Sequence, residues 1–268
     1  MPRMSIGDCS LYVERHGDGF PVLLISGLSG HAAYWQAQVP AFSREFGLVL
    51  HDHRGVGQSD HVKMSYTVDK MAADVVALMD ALEIEKAHIV GHSTGGAIAQ
   101  ILAIEHPKRV AALVIVSSWP KPDAYFRREF MLRKEILSGL GSTAYVQQAS
   151  LMLYPPAWVA EHNEALRGYE AQMIASFPPT EIMLSRIDAL MAFDRTKDLG
   201  KIKAPTLVVG AADDVVIPAY QSEALARAIP DAELKLFAAG GHAFTQVKPR
   251  DFNQAVLPFL EAHTPTPK

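Results

Sequence analysis

The apolar residues of this 268-residue chain fall into two alternating patterns. Short continuous runs rich in Val, Ile and Leu occupy residues 21–26 (PVLLIS), 47–51 (GLVLH), 87–90 (AHIV), 110–116 (VAALVIV), 205–209 (PTLVV) and 233–237 (ELKLF). Runs without polar alternation suit strands covered on both faces. Between them the spacing turns helical. Over residues 69–82, Met71, Val75, Leu78, Met79 and Leu82 share one face, and residues 94–105, 220–229 and 249–260 are further helix candidates. Strands alternating with helices predict an α/β protein with a mostly parallel sheet, doubly wound. Residues 10–15 precede the series and are expected to add an antiparallel edge.

The alternation fails once. From about residue 120 to about 199 no strand pattern occurs, and helix-like segments lie around 124–140, 142–153, 156–176 and 181–192. Pro155-Pro156 and Pro178-Pro179 punctuate them. Such an insertion predicts a helical cap over the carboxyl edge of the sheet, where open α/β sheets place their sites. The expected division is a core of residues 1–119 and 200–268 and a cap (lid) of residues 120–199.

Composition narrows the class without naming an activity. A chain 49% hydrophobic and 20% charged is an ordinary globular one. A net charge of −4, with no basic run interleaved with aromatics, gives no footprint for nucleic acid. The lone Cys9 can form neither an internal disulfide nor a Cys-based zinc site. No stretch reaches the roughly 18 apolar residues needed to cross a bilayer, and the first residues lack an apolar signal segment. The expectation is a cytoplasmic protein with a small-molecule partner, no membrane, no nucleic acid and no cofactor. Oligomeric state is left open.

Candidate chemistry begins at Gly91-His92-Ser93-Thr94-Gly95-Gly96, between a predicted strand and a predicted helix. G-x-S-x-G on that junction is the context of a nucleophile elbow, where small neighbours let strand and helix close around a strained serine. The helix start also favours negative charge at the serine oxygen. A hydroxyl needs a base to become a nucleophile. Of 11 histidines, His242 stands on the loop after the last strand, in Gly240-Gly241-His242. An orienting carboxylate can come from Asp213 or Asp214, just after the strand at 205–209. Two oxyanion-hole N–H donors are expected at Thr94 and, on the loop Ser26-Gly27-Leu28-Ser29-Gly30, at Leu28. Trp35, Trp119, Phe126, Phe130, Tyr154, Trp158 and Val216 are candidates for the pocket wall. The triplet His51-Asp52-His53 has no clustered partners and reads as loop packing, with no metal. Arg127, Arg128, Arg133 and Lys134 could attract an anionic substrate, but such a run is more often the solvated face of a cap helix, and that is the expectation.

Together the elbow, the stretch DHRGVGQS at 52–59, the Asp213-Asp214 loop and the Gly-Gly-His loop resemble the α/β-hydrolase superfamily over about residues 10–262. Within it, LISGL at 24–28 with Tyr34-Trp35, LMLYPPAW at 151–158 and the two late loops resemble the RutD-type aminoacrylate hydrolases of pyrimidine catabolism. The resemblance implies a Ser-Asp-His chain order, and it selects Asp214, four residues before Pro218, as the acid. A serine at the elbow departs from the dehalogenases and epoxide hydrolases of this fold, which carry aspartate there. It also departs from RutD-type proteins that lack the serine, which weakens transfer of their substrate. The expected activity is a serine esterase or lactonase acting on a small substrate through an acyl-enzyme. Hydrolysis of a C–N bond in an aminoacrylate, amide or carbamate is the alternative. C–C hydrolysis, acyl transfer and a receptor-like ligand-binding role stay open on the same fold.

Overall fold

A computed structural model describes residues 3–266. Eight strands, β1 (Arg3–Ser5), β2 (Ser10–His16), β3 (Phe20–Ile25), β4 (Phe46–His51), β5 (Ala87–His92), β6 (Val110–Val116), β7 (Thr206–Ala211) and β8 (Glu233–Phe237), form one sheet in the order β1-β2-β4-β3-β5-β6-β7-β8. The pairs β1/β2 and β2/β4 are antiparallel, and the remaining pairs are parallel. The strand expected at the edge, β2, is therefore second. The true edge is β1, whose three residues are too short to show an apolar period.

Helices α1 (Val39–Phe42), α2 (Val68–Ala81), α3 (Thr94–Glu105), α8 (Ala219–Ala228), α9 (Phe244–Val247) and α10 (Pro249–Ala262) cover both faces. Alternate residues of each strand serve opposite layers. Leu23 and Ile25 of β3 and Leu113 and Ile115 of β6 pack with α2, α3 and α8. Val22, Leu24, Ala112 and Val114 pack with Phe42, Phe244, Phe252 and Val256 from α1, α9 and α10. Both faces being dry explains the unbroken apolar runs. Each fully buried Leu, Ile or Val contributes about 1.5–3 kcal/mol of transfer free energy.

Between β6 and β7 stand four further helices, α4 (Ala124–Leu153), α5 (Pro156–Glu161), α6 (Asn163–Ala175) and α7 (Thr180–Ala192). The Asp123 carboxylate caps α4 by accepting from the Phe126 N–H at 2.9 Å, and its other oxygen accepts from Tyr220 and Gln221 of α8. The start of this helical insertion is thus pinned to α8. Gly141 breaks α4 at φ 83°, ψ −177°, in the place between the two predicted segments. A Cβ there would meet no neighbour, so the requirement for glycine is the backbone angle. The single helix expected over 156–176 divides instead at His162, whose Nδ1 turns back to the Trp158 carbonyl at 3.0 Å. That side-chain bond competes with continuation of the helix.

Candidate active site

Ser93 occupies the turn from β5 into α3 at φ 55°, ψ −115°, a conformation a non-glycine residue adopts only at a cost of about 1–3 kcal/mol. Its surroundings hold it there. The Ser93 N–H donates to the Val116 carbonyl at 2.8 Å, and the Ser93 carbonyl accepts from Gly96 N–H and from Ser118 Oγ, each at 2.9 Å. The turn is also too tight for side chains: a Cβ on Gly91 would lie 2.1 Å from the Gly95 oxygen, and one on Gly95 would lie 2.1 Å from the Ile25 oxygen.

His242 and Asp214 meet as a buried pair, Nδ1 to Oδ2 at 2.8 Å. The second Asp214 oxygen accepts from the N–H groups of Val216 and Ile217 at 2.9 and 2.8 Å. An ionised carboxylate so engaged only accepts, so it orients the ring with Nδ1–H toward Asp214 and leaves Nε2 as the lone-pair nitrogen of the neutral tautomer. Asp213 has a different task. Its two oxygens accept from Gly240 and Gly241 N–H at 3.0 and 2.8 Å, gripping the loop that carries His242. Next to Ser93, His92 donates from Nε2 to the His242 carbonyl at 3.0 Å and stacks on Tyr34. Burial first, and then the nearby His242, keep its pKa well below the usual histidine range, so it is neutral.

Ser93 and His242 line one cavity of about 100 Å³ together with Leu28, Phe130, Tyr154 and Val216. Among the described residues, neither the Leu28 nor the Thr94 N–H meets an acceptor. Four of the predicted wall residues lie elsewhere. Trp35 packs under the sheet against Phe252, and Trp119 and Phe126 pack on each other, with Phe126 stacked behind Phe130. Trp158 is sandwiched between Tyr154 and His162. Residue type marks an aromatic as burial-prone and does not say which way its ring points. The wall instead includes Tyr145, Met173, Phe177 and Met183 from the cap.

Two polar groups take positions that the chain pattern did not reveal. Of the basic cluster, Arg127 and Arg128 are exposed and Lys134 pairs with Asp188 at the surface. Arg133 is only 4% exposed and lines the cavity, which corrects its reading as a solvated side chain. Arg186 of α7 is fully buried and donates to the carbonyls of Leu28 and Arg54 at 2.9 and 3.0 Å, with His53 Nδ1 at 3.1 Å. Asp52 accepts from the Ala32 and Gln58 N–H groups, each at 2.8 Å, while His51 and His53 stack on each other. That is loop packing, and among the described residues no group of three metal-ligating side chains clusters. Nor is any helix among them long and apolar enough to cross a membrane.

Comparison with known proteins identifies the family. The profile of the alpha/beta hydrolase fold family matches residues 21–249. A relative from Azorhizobium caulinodans, which carries the provisional name carbamate hydrolase RutD, is 42% identical over 259 residues, covering 97% of this chain and 98% of its own. A thermophilic esterase from Thermogutta terrifontis superposes with a TM-score of 0.85 at 27% identity, covering 96% of this chain and 95% of that one. The enol-lactonase from Burkholderia xenovorans LB400 shares the fold with a TM-score of 0.90 at 23% identity, over 97% of this chain and all of its own. Motif order, sheet topology and relatives agree: the chain belongs to the α/β-hydrolase fold family and is a hydrolase.

Proposed function

We propose that the chain is a serine hydrolase of small carboxylic esters or lactones, working through Ser93, His242 and Asp214. One observation carries the reading: a strained serine shares a small cavity with a histidine whose far nitrogen is fixed by a buried carboxylate. His242 Nε2 takes the proton from Ser93 Oγ as that oxygen attacks the substrate carbonyl carbon. The oxygen of the tetrahedral intermediate is stabilised by the free N–H groups of Leu28 and Thr94. The imidazolium, held by Asp214, returns its proton to the leaving alkoxide, and an acyl-enzyme remains. Water then repeats the sequence, giving its proton to His242 and its oxygen to the acyl carbon, and Ser93 is released.

The cavity sets the size of the substrate. An engineered cavity of about 150 Å³ accommodates benzene, so about 100 Å³ suits an acyl group of a few carbons. The residues between β6 and β7 act as the cap that closes this space, and the remaining residues act as the core.

A second reading has its own support. The relative named carbamate hydrolase RutD spans nearly the whole chain at 42% identity, and the same residues can expel ammonia or an amine in place of an alcohol. Labelling with a fluorophosphonate probe tests the nucleophile: wild type labels and Ser93→Ala does not. An unlabelled wild type, or equal labelling of Ser93→Ala, would overturn the reading. Acid release from short-chain esters and lactones, measured against ammonia release from carbamates and enamine acids, then decides which bond is cleaved.

A further inference from the structure

We propose that Arg133 is a carboxylate-binding group in the substrate cavity, so that the preferred substrates are small acyl compounds carrying a second, free acid. The proposal rests on the Ser93 reading and names the substrate class of that same site. Arg133 lies on α4, is nine-tenths buried, and shares the cavity wall with Ser93 and His242. Its Nη2 stands 2.7 Å from Oε1 of Glu129 and the guanidinium also acts on the Tyr145 hydroxyl, yet Nε, Nη2 and both Glu129 oxygens fall short of well-formed hydrogen-bond geometry. The two charges are close but their lone pairs and N–H groups do not line up. A guanidinium offers only donors and no acceptor. Buried donors without partners are rare in folded proteins and unfavourable where they occur. They are accounted for when an acceptor arrives with the substrate.

The identity of that acceptor follows from the donor. A planar guanidinium offers paired N–H groups matched to the two oxygens of a carboxylate. The Phe130 ring lies 5.0 Å from Cζ and supports the cationic face. Glu129 is not part of the cavity wall, whereas Arg133 is. Burial raises the Glu129 pKa, while Arg133 and then His242 lower it and Asp214 raises it again. A substrate acid approaching Arg133 raises it further, so Glu129 can yield the guanidinium by taking up a proton. Asp214 does not compete for Arg133, because its oxygens are occupied by His242 and two backbone N–H groups.

The test is a pair of uncleaved ligands on the Ser93→Ala protein. Monomethyl succinate carries the free acid, and methyl 4-methylpentanoate replaces it with an isopropyl group of similar shape. Calorimetric titration is expected to show monomethyl succinate bound about 10- to 100-fold more tightly. Arg133→Met alone would strand the buried Glu129, so the preference is measured in Glu129→Gln/Arg133→Met, which removes both charges. There it should fall to within about threefold. Glu129→Gln alone should bind the acid as tightly as the parent or more so. No detectable binding of monomethyl succinate, no preference in the parent, or a preference retained without Arg133 would each overturn the proposal. A wild-type protein that takes the fluorophosphonate label while showing no acid preference refutes Arg133 alone. Acid binding through Arg133 in a protein that takes no label refutes the Ser93 reading alone.

Discussion

Arg186, on helix α7 of the insertion between β6 and β7, donates through Nη2 to the carbonyl oxygen of Leu28 at 2.9 Å. The contact crosses from the cap to the loop after β3, which lines the cavity beside Ser93. The same guanidinium holds the Arg54 carbonyl and His53. Burial lowers its pKa to about 10, so it remains charged at neutral pH. Arg186→Met would leave two buried carbonyls without these donors, a loss of about 2–4 kcal/mol. If the Leu28 N–H serves the oxyanion, ester turnover should fall about 10- to 100-fold as that loop shifts. Arg186→Lys should recover only part of either loss. Urea unfolding and kcat/KM measured together check this, and a variant normal in both would contradict it.

The two adjacent aspartates separate by function. Asp214→Asn removes the acceptor that fixes the His242 tautomer, and kcat should drop about 10³- to 10⁴-fold. Asp213→Asn keeps one carbonyl oxygen for the loop N–H groups and should cost about tenfold, with a modest fall in stability. Steady-state kinetics on one ester suffice, and equal or reversed losses would refute the assignment of Asp214.

Acid sensitivity should follow from histidines outside the site. Burial lowers both His51 and His88 to about 4, against about 6.5 in the unfolded chain. Below pH 6.5 the unfolded state takes up protons that the folded state refuses. The stability these rings contribute is complete above 6.5 and is lost as pH falls toward 4, on the order of 1–3 kcal/mol per ring. Thermal unfolding between pH 7 and 4.5 should show the decline, and His51→Asn should make its slope shallower. A melting temperature independent of pH over that range would contradict it.

Much of this architecture can be read from the chain, because its central strands are dry on both faces. Residues 110–116 form an unbroken apolar run and appear as β6, buried throughout, whereas 233–237 appear as the exposed edge strand β8 with the expected bounds. A break near Gly139 and Gly141 is legible because only glycine takes a positive φ freely, and the structure places it at Gly141. Ser93 and the Asp214 and His242 loops are legible because each follows a strand. Direction is what the pattern lacks. Trp35 and Phe130 look alike as candidates, yet one lies under the sheet and the other in the cavity. Arg133 sits among charges on its helix, and only the packing of α4 against α6 and α7 turns it inward.

The backbone at Ser93 is the conformation a glycine would choose. Natural domains keep only about 5–15 kcal/mol between folded and unfolded, so about 1–3 kcal/mol held at one residue is a sizeable fraction. Ser93→Gly should therefore melt a few degrees above Ser93→Ala, although both would be equally inert toward the fluorophosphonate. If so, drift toward robustness and retention of chemistry pull in opposite directions at this codon. A thermostability selection run without an activity screen would tend to discard the proposed nucleophile first.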